Sequence, residues 1–271
     1  MNRKTKYALL FPGIALRNFS ALLKNLLNFA EVSFAKQKVA EMGFGEGLPT
    51  IAINQISENL QEEIKRFTFL DGTSRVIDIA LLKVLAKKFT DCDYLEIGSW
   101  RGESILNVAP LCKECYSVSL SKEEMKDLNF SNEAIALDAF LIKDIPNLKR
   151  IAHNSLTFDF STLNKKFDLI FVDGDHTYEG VMSDTQNVFK LLKNENSIIV
   201  WHDCGYFYED QRWDVIAGIL GGATEAQRKN IYRVSNSMCG IYMQGNYKTQ
   251  QRIMPHKPEH IYDVAIRQGS L

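Results

Sequence analysis

The stretch Asp93 to Ser104, DYLEIGSWRGES, constrains the fold more than any other part of the chain. Tyr94, Leu95 and Ile97 read as a short buried strand that runs into a tight turn bracketed by Gly98 and Gly102, followed by a helix. Glycine at these positions permits positive φ and lets backbone approach a ligand with no Cβ in the way. Glu96 sits near the carboxyl end of the strand, an awkward place for a charge unless it binds something. A helix starting near Gly102 points its free N–H groups at the same spot. A nucleotide-sized pocket at the mouth of an α/β sheet follows.

Spacing decides which nucleotide. A dinucleotide fingerprint requires G-x-G-x-x-G, its middle glycine making room for a pyrophosphate. Position 100 is Trp, so only Gly98-x-x-x-Gly102 remains, with an acid two residues before the first glycine. That pattern resembles motif I of the class I S-adenosylmethionine-dependent methyltransferases.

The 271 residues, 45% hydrophobic, suffice for one good core and a smaller extension. A net charge of −1 gives no reason to expect nucleic acid. Five cysteines, an odd number, fit a reducing cytoplasm better than a disulfide framework. Cys112-x-x-Cys115 lacks the second pair that a structural zinc site needs.

Three regions are expected: a helical extension over 1–70, basic at its start, a cofactor-binding domain over 71–245, and a tail over 246–271. Arg3, Lys4, Lys6, Arg17, Lys24, Lys36 and Lys38 face only Glu31 in the first 40 residues. The apolar run Tyr7 to Leu16 is broken at Pro12-Gly13 and is far short of the roughly 20 residues of a membrane span. From Asn18 to about Val39, Phe19, Leu22, Leu23, Leu26, Leu27 and Ala30 recur at helical spacing. Such a helix packs on its own domain or in a homo-oligomer, or lies on the cytoplasmic side of an anionic membrane. A second helix is expected through Leu60, Ile64 and Phe67, and a third from Arg75 to Phe89 with Ser74 as its cap.

Beyond motif I, strands at 116–120, 150–152, 167–172 and 197–201 alternate with helices, as in a parallel sheet covered on both faces. Strands at 230–234 and 238–243 form a terminal antiparallel hairpin. The fold class is therefore α/β: a doubly wound, mostly parallel, seven-stranded Rossmann-like sheet.

Two more stretches carry chemistry. FDLIFVDGDHTYEG ends a hydrophobic strand in Asp173, Asp175 and His176; SIIVWHDC ends the next in His202 and Asp203. Adjacent strands lie about 4.8 Å apart, so Asp173 and Asp203 can share a hard cation such as Mg²⁺. The three motifs in order resemble the small metal-dependent sugar and macrolide O-methyltransferases, which share a DGDHxYE signature. The resemblance implies S-adenosylmethionine held by Glu96, Gly98, Ser99, Gly102 and Ser104, a cation on Asp173 and Asp203, and His176 as base. It implies a small hydroxylated acceptor, such as a sugar or glycolipid headgroup. Two positions depart from the family: Ser119 stands where an acid usually binds the ribose, and Asn154 where an aspartate often meets the adenine. Asp175 reads as a turn carboxylate or a ligand, His202 as a ligand support or a packing residue. Two other functions fit parts of the pattern. Asp173-Gly-Asp175 is also the D-x-D of a metal-dependent glycosyltransferase, and Ser119 leaves room for a non-catalytic cofactor-binding subunit.

Overall fold

The computed structural model describes residues 11, 18–208, 210–251 and 260–269. Arg3, Lys4, Lys6, Arg17, His256 and all of the Tyr7–Leu16 run but Phe11 lie outside them.

The first helix, α1 (Phe19–Glu41), buries only Ala35 and Val39. After it come β1 (Thr50–Ile51) and α2 (Val76–Ala86). The motif I segment is β2 (Cys92–Ile97), buried at all six positions, then α3 (Glu103–Val108). β3 (Cys112–Ser119), α4 (Lys122–Asp127), α5 (Asn132–Ala136) and β4 (Leu148–Ala152) follow. β5 (Leu169–Val172), α6 (Tyr178–Lys190) and β6 (Ile198–Trp201) form the next crossover. The chain closes with α7 (Trp213–Gly222), α8 (Glu225–Arg228), β7 (Ile231–Val234), β8 (Gly240–Tyr242) and β9 (Thr249–Gln250).

The strands form one sheet in the order β4-β3-β2-β5-β6-β8-β7-β1-β9. β2 to β6 are parallel; β8 runs antiparallel to both β6 and β7. The expected mostly parallel sheet with a terminal antiparallel hairpin is present. It has nine strands, not seven, because β1 pairs with β7 and β9 pairs with β1. Two residues are too few to show a period of two, so neither strand announces itself in the sequence.

Alternation along β2 builds the core. Leu95 and Ile97 face one layer, with Val181 and Val188 of α6 and Val215 and Ile216 of α7. Tyr94 faces the other, with Leu81, Leu82 and Leu85 of α2 and Ile105 of α3. At the amino ends of β2 and β5, Lys193 bridges Asp93 at 3.0 Å and Asp168 at 2.9 Å, which leaves the carboxyl ends to carry chemistry.

The helix expected through Leu60, Ile64 and Phe67 does not form; residues 61–70 carry no helix. Their backbone is satisfied elsewhere. Lys65 N–H donates to Asn107 Oδ1 at 2.8 Å, Lys65 C=O accepts from Asn107 Nδ2 at 2.9 Å, and Arg101 donates to the carbonyls of Leu70 and Asp71. Tertiary partners override an apolar spacing that mimics a helical face.

Candidate active site

The carboxyl ends of β5 and β6 are fixed by one more rung of backbone bonds on each side. Asp173 N–H donates to Ile97 C=O at 2.8 Å, and His202 N–H donates to Val172 C=O at 3.0 Å. Asp173 and Asp203 are therefore side by side. His176 joins them because the turn before α6 is tied in place: Asp175 Oδ1 accepts from Thr177 N–H at 3.0 Å, and Thr177 Oγ1 accepts from Gly180 N–H at 3.1 Å. His176 Nε2 then lies 2.7 Å from Asp203 Oδ2 and 3.8 Å from Asp173 Oδ1. One donor atom from each of Asp173, His176 and Asp203 falls within 4.8 Å of the others.

Behind this trio stands His202. Its Nδ1 is 3.1 Å from Asp173 Oδ1 and 3.2 Å from Asp203 Oδ1, and its Nε2 is 3.1 Å from Asp78 Oδ2. His202 is thus a bracket between the site and α2, where Asp78 also accepts from the backbone N–H groups of Arg75 and Met238 at 3.0 Å. Ser74, expected as the cap of α2, instead donates to Asp173 Oδ2 at 3.1 Å, and Asp78 takes the capping bond from Arg75. Asp78 is a site residue that the motifs do not reveal. Its one signal is an acid in the otherwise apolar run VIDIALL.

Charges follow from this packing. Burial opposes ionisation of Asp173, but the His202 charge and the nearness of both imidazoles outweigh it and hold its pKa at about 2. Burial likewise opposes the charge on His176, and the two carboxylates overcome it, pushing its pKa up to about 9. Asp203 is depressed and His202 raised for the same reasons.

Motif I abuts the acid pair. Gly98 has φ +89°, and a Cβ there would lie 2.0 Å from the carbonyl oxygen of Asp173; at Gly102, φ +93°, it would lie 2.2 Å from Ile142 Cγ2. At both glycines the turn packs against its own protein where a Cβ would stand. Glu96 is fully buried, accepting from Tyr94 Oη and Ser104 Oγ at 2.6 Å each, so it ties β2 to α3. Burial pushes its pKa up to about 7. Ser99 Oγ shares a bond with Ser117 Oγ at 2.7 Å and reaches Ser119 Oγ at 3.5 Å, giving a floor of hydroxyls at the end of β3.

Asn154, past β4, spends Oδ1 on Leu156 N–H at 3.0 Å, while its own N–H donates to Glu124 Oε1 at 3.0 Å. Glu124 thereby brings a carboxylate to the edge where Ser119 supplies none. Two bonds from Ser121 hold it there. Its part in the α4 capping box, Ser121-x-x-Glu124, is what conceals it in the sequence. Asp175 is exposed and bonded to Thr177, and it is absent from the donor cluster, so the D-x-D does not converge on one ion. The five cysteines are free; Cys92 and Cys112 are register partners on β2 and β3.

Residues 95–204 match the family model described as "Methyltransferase domain", a span that includes the trio and motif I from Leu95 onward. An uncharacterized protein of Acanthamoeba polyphaga mimivirus is 28% identical over 149 residues, which are 49% of this chain and 60% of that protein. Among solved structures, the SAH-bound methyltransferase PaMTH1 of Podospora anserina is 20% identical, covering 66% of this chain and 83% of its own, with a TM-score of 0.44. The O-methyltransferase TomG of Streptomyces achromogenes, in complex with SAM, is 14% identical, covering 79% and 90%, with a TM-score of 0.44.

Proposed function

We propose that the chain, whose residues 95–204 match a methyltransferase-domain model, is a class I S-adenosylmethionine-dependent enzyme that methylates a hydroxyl of a small acceptor, with a divalent cation on Asp173 and Asp203. The observation that carries this reading is the contact between Gly98 and the Asp173 backbone, which sets the donor corner against the acid pair.

The donor set fits a cation. Two carboxylates supply hard oxygens, and His176 Nε2 and His202 Nδ1 are shut off from solvent beside them without a well-aligned hydrogen bond. When bound, a divalent ion lowers the pKa of a coordinated hydroxyl. S-adenosylmethionine supplies an already activated methyl group, so the chain's own residues need only align the acceptor and take its proton. Gly98, Ser99, Gly102 and Ser119 shape the donor pocket; Glu96 and Ser104 brace it from behind. His176 is the base. The carboxylates that raise its pKa are those that would hold the cation, so loading them frees Nε2 to accept a proton. His202, pinned by Asp78, keeps both acids in place. Tyr206, Phe207 and Tyr208, which follow Asp203 in the chain and are exposed, are the aromatic side chains at hand for the acceptor. A sugar or glycolipid headgroup, with adjacent hydroxyls to chelate, suits such a centre.

Titration calorimetry tests the reading. S-adenosylhomocysteine is expected to bind, and a UDP-sugar is not; the reverse would replace methyl transfer with glycosyl transfer. Mn²⁺ binding near neutral pH should release a proton that His176→Ala does not release. That variant is expected to keep the ion and lose about 10²–10⁴ in turnover. Loss of the ion itself would make His176 a ligand rather than the base.

A further inference from the structure

Among the described residues, α1 buries side chains only in its last turns. Ala35 and Val39 are buried, Lys36 Nζ lies 5.1 Å from the Trp213 ring centroid, and Lys38 Nζ lies 4.0 Å from that of Tyr178. From Phe19 to Phe34 the side chains are exposed except for the part-buried Leu22 and Val32. Phe19, Leu23, Leu26, Leu27, Phe29 and Phe34 are each at least 45% exposed. Phe19, Leu23, Leu26, Leu27 and Phe34 gather along one side at i, i+3, i+4, i+7 spacing with Phe29 at its margin, and Lys24, Asn28 and Glu31 occupy the opposite side. A continuous apolar stripe of this size marks a surface that something covers.

Charge selects the occupant. The first 40 residues carry a formal +6 and the remainder −7, from a chain total of −1. A second copy laid on this helix would bring two such basic segments together, at a repulsive cost. An anionic lipid surface offers both an apolar layer for the stripe and negative headgroups for the lysines and arginines. No described helix is long and apolar enough to cross a membrane. We propose that α1 docks the protein on an anionic bilayer surface, its Phe19–Phe34 stripe lying in the headgroup boundary and its domain-packed end at Ala35–Val39 acting as the tether. The inference stands on α1 and on charge, and holds whatever the acceptor is.

Flotation of the full chain with vesicles of phosphatidylcholine, with and without one-third phosphatidylserine, tests it. Expected is flotation with the anionic vesicles, about tenfold or more weaker with neutral ones or in high salt. The double variant Leu26→Glu/Phe29→Glu should stay in the bottom fraction with unchanged melting temperature, since both side chains are exposed. Absence of flotation with anionic vesicles, or equal flotation by the double variant, overturns the proposal. So does a wild-type dimer in light scattering that the double variant dissolves while neither protein floats; the stripe would then join two copies.

Discussion

Asp184 shows how a single side chain can set the pH response of the protein. It lies on α6 with no exposed surface, neither carboxylate oxygen meets a well-aligned donor, and Gly174 packs against it. Burial pushes its pKa up to about 7, the Ser155 hydroxyl offsetting part of the effect and Asp175 adding to it. The folded chain therefore keeps a proton that the unfolded chain has already released, and Asp184 makes stability fall as pH rises from about 4 to about 7. This is the reverse of the usual carboxylate. Asp184→Asn is expected to stabilise the protein at pH 8 by on the order of 2 kcal/mol and to flatten that slope. Urea melts at several pH values measure both; an unchanged slope would remove Asp184 from the account.

At the scale of elements, α2 serves the site more than its apolar sequence suggests. Asp78 on its first turn holds His202, and His202 holds both acids. Asp78→Ala leaves a buried histidine and two backbone N–H groups without their acceptor, and should cost about 3–5 kcal/mol. It should also weaken Mn²⁺ affinity, although Asp78 touches no ion. Calorimetry on the variant separates this from a purely structural effect, because Asp78→Asn keeps an acceptor and should recover much of the stability and less of the metal binding. The same element shows where sequence reading stops. Asp173, His176 and Asp203 could be read because strand ends in a parallel sheet fall on one edge whatever the side chains do. Asp78 and Ser74 could not, since their role depends on how a helix docks across the layer, and no periodicity records that. The failed helix near Ile64 is the same lesson in reverse: Asn107 and Arg101, more than 30 residues away, decide its backbone.

For the whole molecule, the mostly parallel sheet could be read from the alternation of buried strands with helices, whereas the edge strands β1 and β9 rest on pairings too short to leave a pattern. The most consequential contact is also invisible in sequence: the missing side chain at position 98 seats the turn after β2 on the Asp173 carbonyl. On the proposed function, a displacement that improves one half-site is felt by the other across this contact, so donor and cation binding are expected to be linked, and linked symmetrically. S-adenosylhomocysteine should change Mn²⁺ affinity, and Mn²⁺ should change S-adenosylhomocysteine affinity by an equal factor, about five-fold or more. Paired titrations that returned independent constants would mean the junction yields. If the constants interlock, methyl donor and cation report on each other through one carbonyl oxygen, and neither pocket can be re-engineered alone.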